Sequence, residues 1–191
     1  MDPHGTRAIR GDRTRPLIRE RARFAVAAVL WVAQVALVIT GRGTVPLPGI
    51  SLSVAALPAI LGGVLAGPLA GLVIGATYGA LSFVLATTPL FQNPVIALVP
   101  RLLIGLVAAG AYTALRRMNE SAALLVAGAL GALTNTGLIL LLAAVIPGPV
   151  GAPYVAPATA WDVARSTLPA EIVLAAIVTL VAGRIALRIR T

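Results

Sequence analysis

The polar side chains that could bind a ligand stand out because long stretches around them carry no charge. Arg101 lies at the predicted outer end of one helix, Asn135 lies within another, and Arg165 and Glu171 lie at the start of a third. An arginine beside a membrane span is costly to bury, and it can hold a carboxylate through two parallel hydrogen bonds. We therefore expect these residues to bind an anionic solute. The alternatives are an Arg101 that reaches the headgroups, an Arg165 paired with Asp162 or Glu171, and an Asn135 that bonds another helix.

Three further candidates lie in predicted loops. Gln92 and Asn93 belong to the segment TTPLFQNP, residues 87–94, and Tyr154 belongs to the longest loop, residues 147–162. The two amides either cap the next helix or hydrogen-bond a ligand. Loops rich in proline and polar residues are frequent binding elements, although aromatic residues there also anchor membrane proteins at the lipid interface.

Several kinds of chemistry are excluded by the residue types that are missing. The chain has no cysteine, its single histidine is His4, and all 15 basic residues are arginine. Thiolate and imidazole metal sites are therefore not expected, and a Walker-type phosphate loop lacks its lysine. No pair of acidic residues is placed for catalysis within the membrane. We predict a protein that is not an enzyme and that needs no metal or cofactor.

The elements that position these residues are apolar helices. Of 191 residues, 59% are hydrophobic, and residues 43–100 and 121–161 contain no Asp, Glu, Lys or Arg. A helix that crosses a bilayer needs about 20 mostly apolar residues, and backbone groups in lipid must be paired within the segment. The sequence therefore predicts an all-α integral membrane protein with a basic tail, residues 1–23, and a six-helix transmembrane domain, residues 24–191. The predicted helices are 24–40, 51–66, 69–86, 98–115, 122–146 and 166–187, and residues 41–50 are predicted to form a loop.

The arginines predict the orientation. Six spans place both ends of the chain on one side, which then holds seven tail arginines, two after the fourth helix and three near the C-terminus, twelve in all. The opposite side holds Arg42, Arg101 and Arg165. Cytoplasmic loops carry the excess of arginine in membrane proteins, so both termini are expected in the cytoplasm. The net charge of +9 lies in these flanks, which argues against a nucleic-acid partner.

Small residues predict close helix packing or a docking surface. Gly71, Gly75 and Gly79 recur at every fourth position of the predicted third helix, and the first helix carries Ala25 and Ala28. Such spacing lets two helix backbones approach closely. The partner is either another helix of this bundle or a second membrane protein.

Residues 61–117, LGGVLAGPLAGLVIGATYGALSFVLATTPLFQNPVIALVPRLLIGLVAAGAYTALRR, resemble the substrate-specific S-component of energy-coupling-factor (ECF) vitamin transporters. The similarity lies in the Gly-Pro-Leu-Ala-Gly turn, the Gln-Asn-Pro loop followed by Pro-Arg, and the Leu-Thr-Asn-Thr segment near residue 135. One departure is that the first helix has alanine pairs at spacing three, whereas the family often has Ala-x-x-x-Ala there for docking.

The resemblance implies a multi-pass protein of a prokaryotic cell membrane that binds a vitamin near its outer face. Its partners would be a transmembrane scaffold (T) subunit and two cytoplasmic ATPases that drive uptake. The sequence is most similar to the pantothenate-type branch, so we expect pantothenate or another small carboxylate, with Arg101 on the carboxylate. The alternatives are an S-component for another vitamin such as riboflavin, and a stand-alone small-solute transporter.

Overall fold

A computed structural model describes the backbone of residues 5–47 and 50–189, and the side chains of residues 20–46 and 52–188. The described chain is mostly helical and has one small β-hairpin. In chain order the elements are α1 (Gly5–Ile39), β1 (Thr44–Leu47), β2 (Ile50–Ser53), α2 (Leu57–Ala66), α3 (Pro68–Val84), α4 (Pro94–Leu115), α5 (Glu120–Ala132), a π-helical turn (Leu133–Gly137), α6 (Leu138–Val145) and α7 (Pro157–Ile189).

Four helical segments are long and apolar enough to cross a membrane. They are Glu20–Ile39, Pro94–Leu115, Glu120–Val145 and Pro157–Arg188, the third of which joins α5, the π-helical turn and α6. The remaining two predicted spans correspond to α2 and α3, which have 10 and 17 residues. At about 1.5 Å per residue, α2 covers about half of a ~30 Å hydrocarbon core. The described part of the chain thus contains six helical segments, and four of them have the length of a full span.

The N-terminal helix starts earlier than the sequence predicts. α1 begins at Gly5, whereas the expected first helix covers residues 24–40. Arginine, glutamate and alanine all favour helix formation, so the basic segment ends the apolar span without ending the helix. The predicted boundary between the tail and the membrane domain, after residue 23, therefore lies inside a continuous helix.

A β-hairpin replaces the predicted loop over residues 41–50. Its second strand also includes residues 51–53, which the sequence predicts as the start of the second helix. β1 pairs antiparallel with β2, with Thr44 opposite Ser53. The carbonyl of Gly43 accepts hydrogen bonds from the Val54 and Ala55 amides at 3.0 and 2.9 Å, which closes the base of the hairpin. α2 then begins next to a proline, which suits a first helical turn because that turn needs no amide donor.

The core of the bundle is built around α2, which packs against α1, α3, α4, α5 and α7. Ile60 of α2 is fully buried, and so are Ile104 of α4 and Leu124 of α5. Large apolar side chains such as Phe24 and Leu141 lie exposed on the outside of the bundle. An apolar exterior is what a lipid environment requires.

The glycine stripe of α3 packs inside the bundle. A Cβ atom at Gly71 would lie 2.7 Å from the Gly63 Cα and 2.8 Å from the Gly105 Cα, and one at Gly79 would lie 3.1 Å from the Ala97 carbonyl oxygen. Gly75 likewise faces the backbone of α4. Because α2 and α4 occupy this face, Gly71, Gly75 and Gly79 are not free to dock another protein in this structure.

Candidate ligand-binding site

A cavity of about 370 Å³ lies where the hairpin meets the helical bundle. Its walls come from the end of α1, the base of the hairpin, α3, the segment between α3 and α4, Arg101 of α4 and the π-helical turn. Ligand pockets in proteins commonly measure about 300–1,000 Å³, so this cavity suits a small molecule.

Among the described residues, Arg101 is the one charged side chain that lines this cavity, and it is 3% exposed. Its Nη1 donates a hydrogen bond of 2.6 Å to the Ile96 carbonyl oxygen, and its Nε has no partner. The guanidinium carbon lies 4.6 Å from the centroid of the Phe91 ring and 5.3 Å from that of Tyr78. Aromatic faces favour a cation at this distance, but they do not neutralise it.

No carboxylate forms an ion pair with Arg101 among the side chains that the structure describes. A buried charge without a partner is strongly unfavourable. The arrangement therefore favours an anion in the cavity, and a planar guanidinium is well suited to a carboxylate.

The position of Arg101 follows from where α4 begins. Asn93 caps this helix, because its Oδ1 accepts hydrogen bonds from the Val95 and Ile96 amides at 3.0 and 3.4 Å. The cap starts α4 at Pro94, four residues before the predicted start, so that Arg101 lies in its second turn. The glycines of α3 then allow α4 to approach, and a Cβ atom at Gly79 would lie 3.4 Å from the Arg101 Cβ.

Asn135 lies in the π-helical turn between α5 and α6, and both it and Thr136 line the cavity. Its Nδ2 donates long hydrogen bonds to the Ser53 Oγ at 3.5 Å and to the Thr136 Oγ1 at 3.4 Å. Its Oδ1 is buried and has no partner. Single π turns within α-helices occur often at functional sites, and this one places two polar side chains on one wall.

Glu171 lies behind this wall and is 6% exposed. Its Oε1 accepts a hydrogen bond of 2.6 Å from the Ser53 amide, and its Oε2 accepts one of 2.5 Å from the Thr136 hydroxyl. The Ser53 hydroxyl lies 3.4 Å from the Tyr78 hydroxyl. Glu171 thus connects α7 to the hairpin and to the π-helical turn, and it is not among the residues that line the cavity.

The other predicted site residues lie outside the cavity. Gln92 is exposed, and Asn93 uses its side-chain oxygen for the helix cap. Arg165 forms an exposed ion pair of 2.8 Å with Asp162, which is one of the predicted alternatives, and both residues lie on α7. Tyr154 packs beside Gly148 in the loop before α7. The structure therefore brings together Arg101 and Asn135 at the cavity and Glu171 behind it, and leaves these four residues apart.

Sequence reasoning did not identify Tyr78 and Ser53 as part of the site. The predicted helix over residues 51–66 puts Ser53 near its start, and Phe91 lies in the predicted loop over residues 87–94, where an aromatic residue could equally anchor the protein at the lipid interface. The signal for Tyr78 is its position three residues after Gly75, which puts both residues on the face of α3 that packs against α4.

Metal binding has no visible basis in the described part of the chain, since no three histidine, cysteine or acidic side chains come together there. The polar atoms of the cavity are instead a guanidinium, amides and hydroxyls. Such groups bind an organic solute through charge and hydrogen bonds.

A search of curated proteins finds no match to this chain. A family model described as "ECF transporter, substrate-specific component" matches residues 23–187, which is most of the sequence. The match agrees with an apolar helical bundle that encloses a polar cavity. The chain belongs to the family of ECF transporter substrate-specific components.

Proposed function

We propose that this S-component captures a small carboxylate vitamin or vitamin precursor at its outer face, and that pantothenate is the first candidate. The observation that carries the proposal is Arg101, a buried guanidinium that lines the cavity without a carboxylate partner among the described side chains. A ligand carboxylate would supply the missing charge and accept hydrogen bonds from the guanidinium. Binding would then offset the cost of burying the guanidinium.

The size and lining of the cavity favour a small substrate over a large flat ring. Its volume of about 370 Å³ lies at the lower end of the range for ligand pockets. Among the described residues, Tyr78 and Phe91 are the aromatic ones that line it, and both contact Arg101. They are therefore not free to stack on both faces of an extended ring, which argues against riboflavin.

The partners implied by the family are a transmembrane T subunit and two cytoplasmic ATPases. We propose that the T subunit docks on an apolar groove between α1 and α3, which includes Ala28, Trp31, Leu69 and Val73. The groove is fixed in part by a hydrogen bond of 2.9 Å from the Trp31 indole to the Thr77 hydroxyl. Ala28 lines this groove, and Ala25 is exposed on α1 without lining it, so both alanines remain candidates for docking.

The protein is proposed to lie in the cell membrane of a prokaryote with both termini in the cytoplasm. The imbalance of arginines between the two sides supports this orientation. Reporter fusions at the two ends are expected to give cytoplasmic signals, and a fusion in the 147–156 loop is expected to give an external one. Signals from opposite sides for the two ends would contradict the six-segment topology.

The transport role is tested by uptake of radiolabelled pantothenate in cells that lack their own pantothenate transporter. Cells with this chain, the T subunit and both ATPases are expected to accumulate the label, and cells with inactive ATPases are not. Mass spectrometry of the molecules released from the purified chain identifies the cargo. Uptake by the chain alone, independent of ATP, would favour a stand-alone transporter, and a cargo without a carboxylate would exclude the assignment of Arg101.

A further inference from the structure

A chain of hydrogen bonds joins Glu171 to the wall of the cavity. It runs from the Glu171 carboxylate to the Thr136 hydroxyl, and from Thr136 to the Asn135 amide, with Ser53 bonded to both ends. The Thr136 hydroxyl has a single hydrogen to donate, so the direction of its bond to Glu171 fixes the direction of its bond with Asn135.

The direction follows from what each group can do. A carboxylate only accepts hydrogen bonds, so the Thr136 hydroxyl must donate its single hydrogen to Glu171. The Thr136 oxygen can then only accept from Asn135, which requires the Nδ2 of that amide to point towards Thr136. The Oδ1 of Asn135 is thereby left over, and it is the atom found buried without a partner.

We propose that Glu171 is a positioning residue that turns the Asn135 amide so that its oxygen serves the cavity as an acceptor. The substrate must then carry an N–H or O–H donor in addition to its carboxylate. This inference rests on the proposed function, because it takes the cavity as the substrate site. A substrate with only acceptors beyond its carboxylate would leave the Asn135 oxygen buried and unsatisfied, which disfavours its binding.

The inference predicts what happens when the carboxylate becomes an amide. In Glu171→Gln the Oε1 still accepts from the Ser53 amide, but the Nε2 now donates to the Thr136 oxygen. The Thr136 hydroxyl is released to donate to the Asn135 Oδ1, so the Asn135 amide turns over. Its NH₂ group then faces the cavity, and the site changes from an acceptor to a donor.

The orientation is measured first in ligand-free protein by NMR of side-chain amides labelled with ¹⁵N at asparagine. The chain has three asparagines, Asn93, Asn119 and Asn135, and loss of one signal pair in Asn135→Asp assigns the third. In the wild type the Asn135 NH₂ protons are expected to exchange slowly with water, because both are bonded within the protein. In Glu171→Gln we expect exchange to be at least about tenfold faster, since the NH₂ group would then face the cavity rather than Ser53 and Thr136.

Thr136→Val is the second variant, because it removes the hydroxyl that links Glu171 to Asn135 and leaves Glu171 in place. It should also accelerate exchange at Asn135. Thr134→Val is the matched control, since the Thr134 hydroxyl bonds the Leu130 carbonyl on the exposed side of the same turn. It should leave exchange at Asn135 unchanged. Slow exchange that survives in Glu171→Gln or in Thr136→Val would overturn the inference.

The consequence for selectivity is tested with two probes, pantothenate and its derivative methylated at the amide nitrogen and both hydroxyls, which has no donor. The ratio of their dissociation constants is expected to favour pantothenate in the wild type and to fall about tenfold in Glu171→Gln. An unchanged ratio would overturn the role of Glu171 in selectivity. If neither protein binds either probe while the exchange results hold, the vitamin assignment fails and the amide orientation stands.

Discussion

Replacing Arg101 by alanine is expected to weaken pantothenate binding by about a hundredfold, which corresponds to about 2.7 kcal/mol. The physical reason is that the ligand carboxylate would enter a buried site that has lost its cation. The remaining polar groups of the lining, such as Asn135 and Thr136, are neutral and do not replace the charge. Equilibrium binding of radiolabelled pantothenate to the purified variant measures the effect.

Two controls separate a role in binding from a role in folding. Arg165→Ala removes an exposed arginine that already pairs with Asp162, so binding should change less than about twofold. Arg101→Lys keeps the charge but lacks the planar pair of donors, so it should restore binding only in part.

The stability of the ligand-free variant gives an independent readout. Arg101 is buried without a carboxylate among the described side chains, so its removal relieves a desolvation cost while it leaves a gap beside Tyr78 and Phe91. We expect the melting temperature without ligand to change little, while the rise that pantothenate gives to the wild type is lost. Binding within threefold of the wild type would exclude Arg101 from the site.

Charge made Arg101 and Glu171 visible in the sequence, because each lies in a stretch with few other polar residues. Such groups are too costly to bury without a use, so their residue types alone predicted a site. Asn135 is neutral, but the sequence also marks it as a candidate because a polar amide within an apolar helix needs a hydrogen-bond partner. The helical, membrane-embedded class followed in the same way from the charge-free stretches.

Element boundaries limited the rest of the site prediction. With α7 starting at Pro157 rather than at residue 166, Arg165 is helical and pairs with Asp162, three residues earlier and on the same face. With β2 covering residues that the sequence predicts as the start of a helix, Ser53 reaches Glu171, although 118 residues separate them. Such distant pairing and the π-helical turn depend on tertiary contacts, which local pattern does not specify.

The glycine stripe shows a second limit. The spacing of Gly71, Gly75 and Gly79 predicts that another helix approaches closely, but it does not say which helix. The structure places α4 there, and Gly105 supplies the opposing small residue. Because α4 carries Arg101, the glycines contribute to the position of the site.

Gly71→Ala is expected to lower the stability of the protein by about 3 kcal/mol, or its melting temperature by about 10 °C. The added methyl group would lie 2.7 Å from the Gly63 Cα and 2.8 Å from the Gly105 Cα. Both neighbours are backbone atoms, so no side chain can rotate away, and α3 must separate from α2 and α4. Thermal unfolding of the detergent-solubilised protein measures the loss.

Gly110→Ala is the matched control, since Gly110 is also helical, lies on α4 and has no atom within 4 Å of an added Cβ. Alanine favours a helix over glycine by about 1 kcal/mol, so this variant should be as stable as the wild type or slightly more stable. Separation of α3 from α4 would also move Arg101 relative to Tyr78, so Gly71→Ala should weaken pantothenate binding and Gly110→Ala should not. Equal melting temperatures for the two variants would show that the close approach of α3 and α4 does not hold the bundle together.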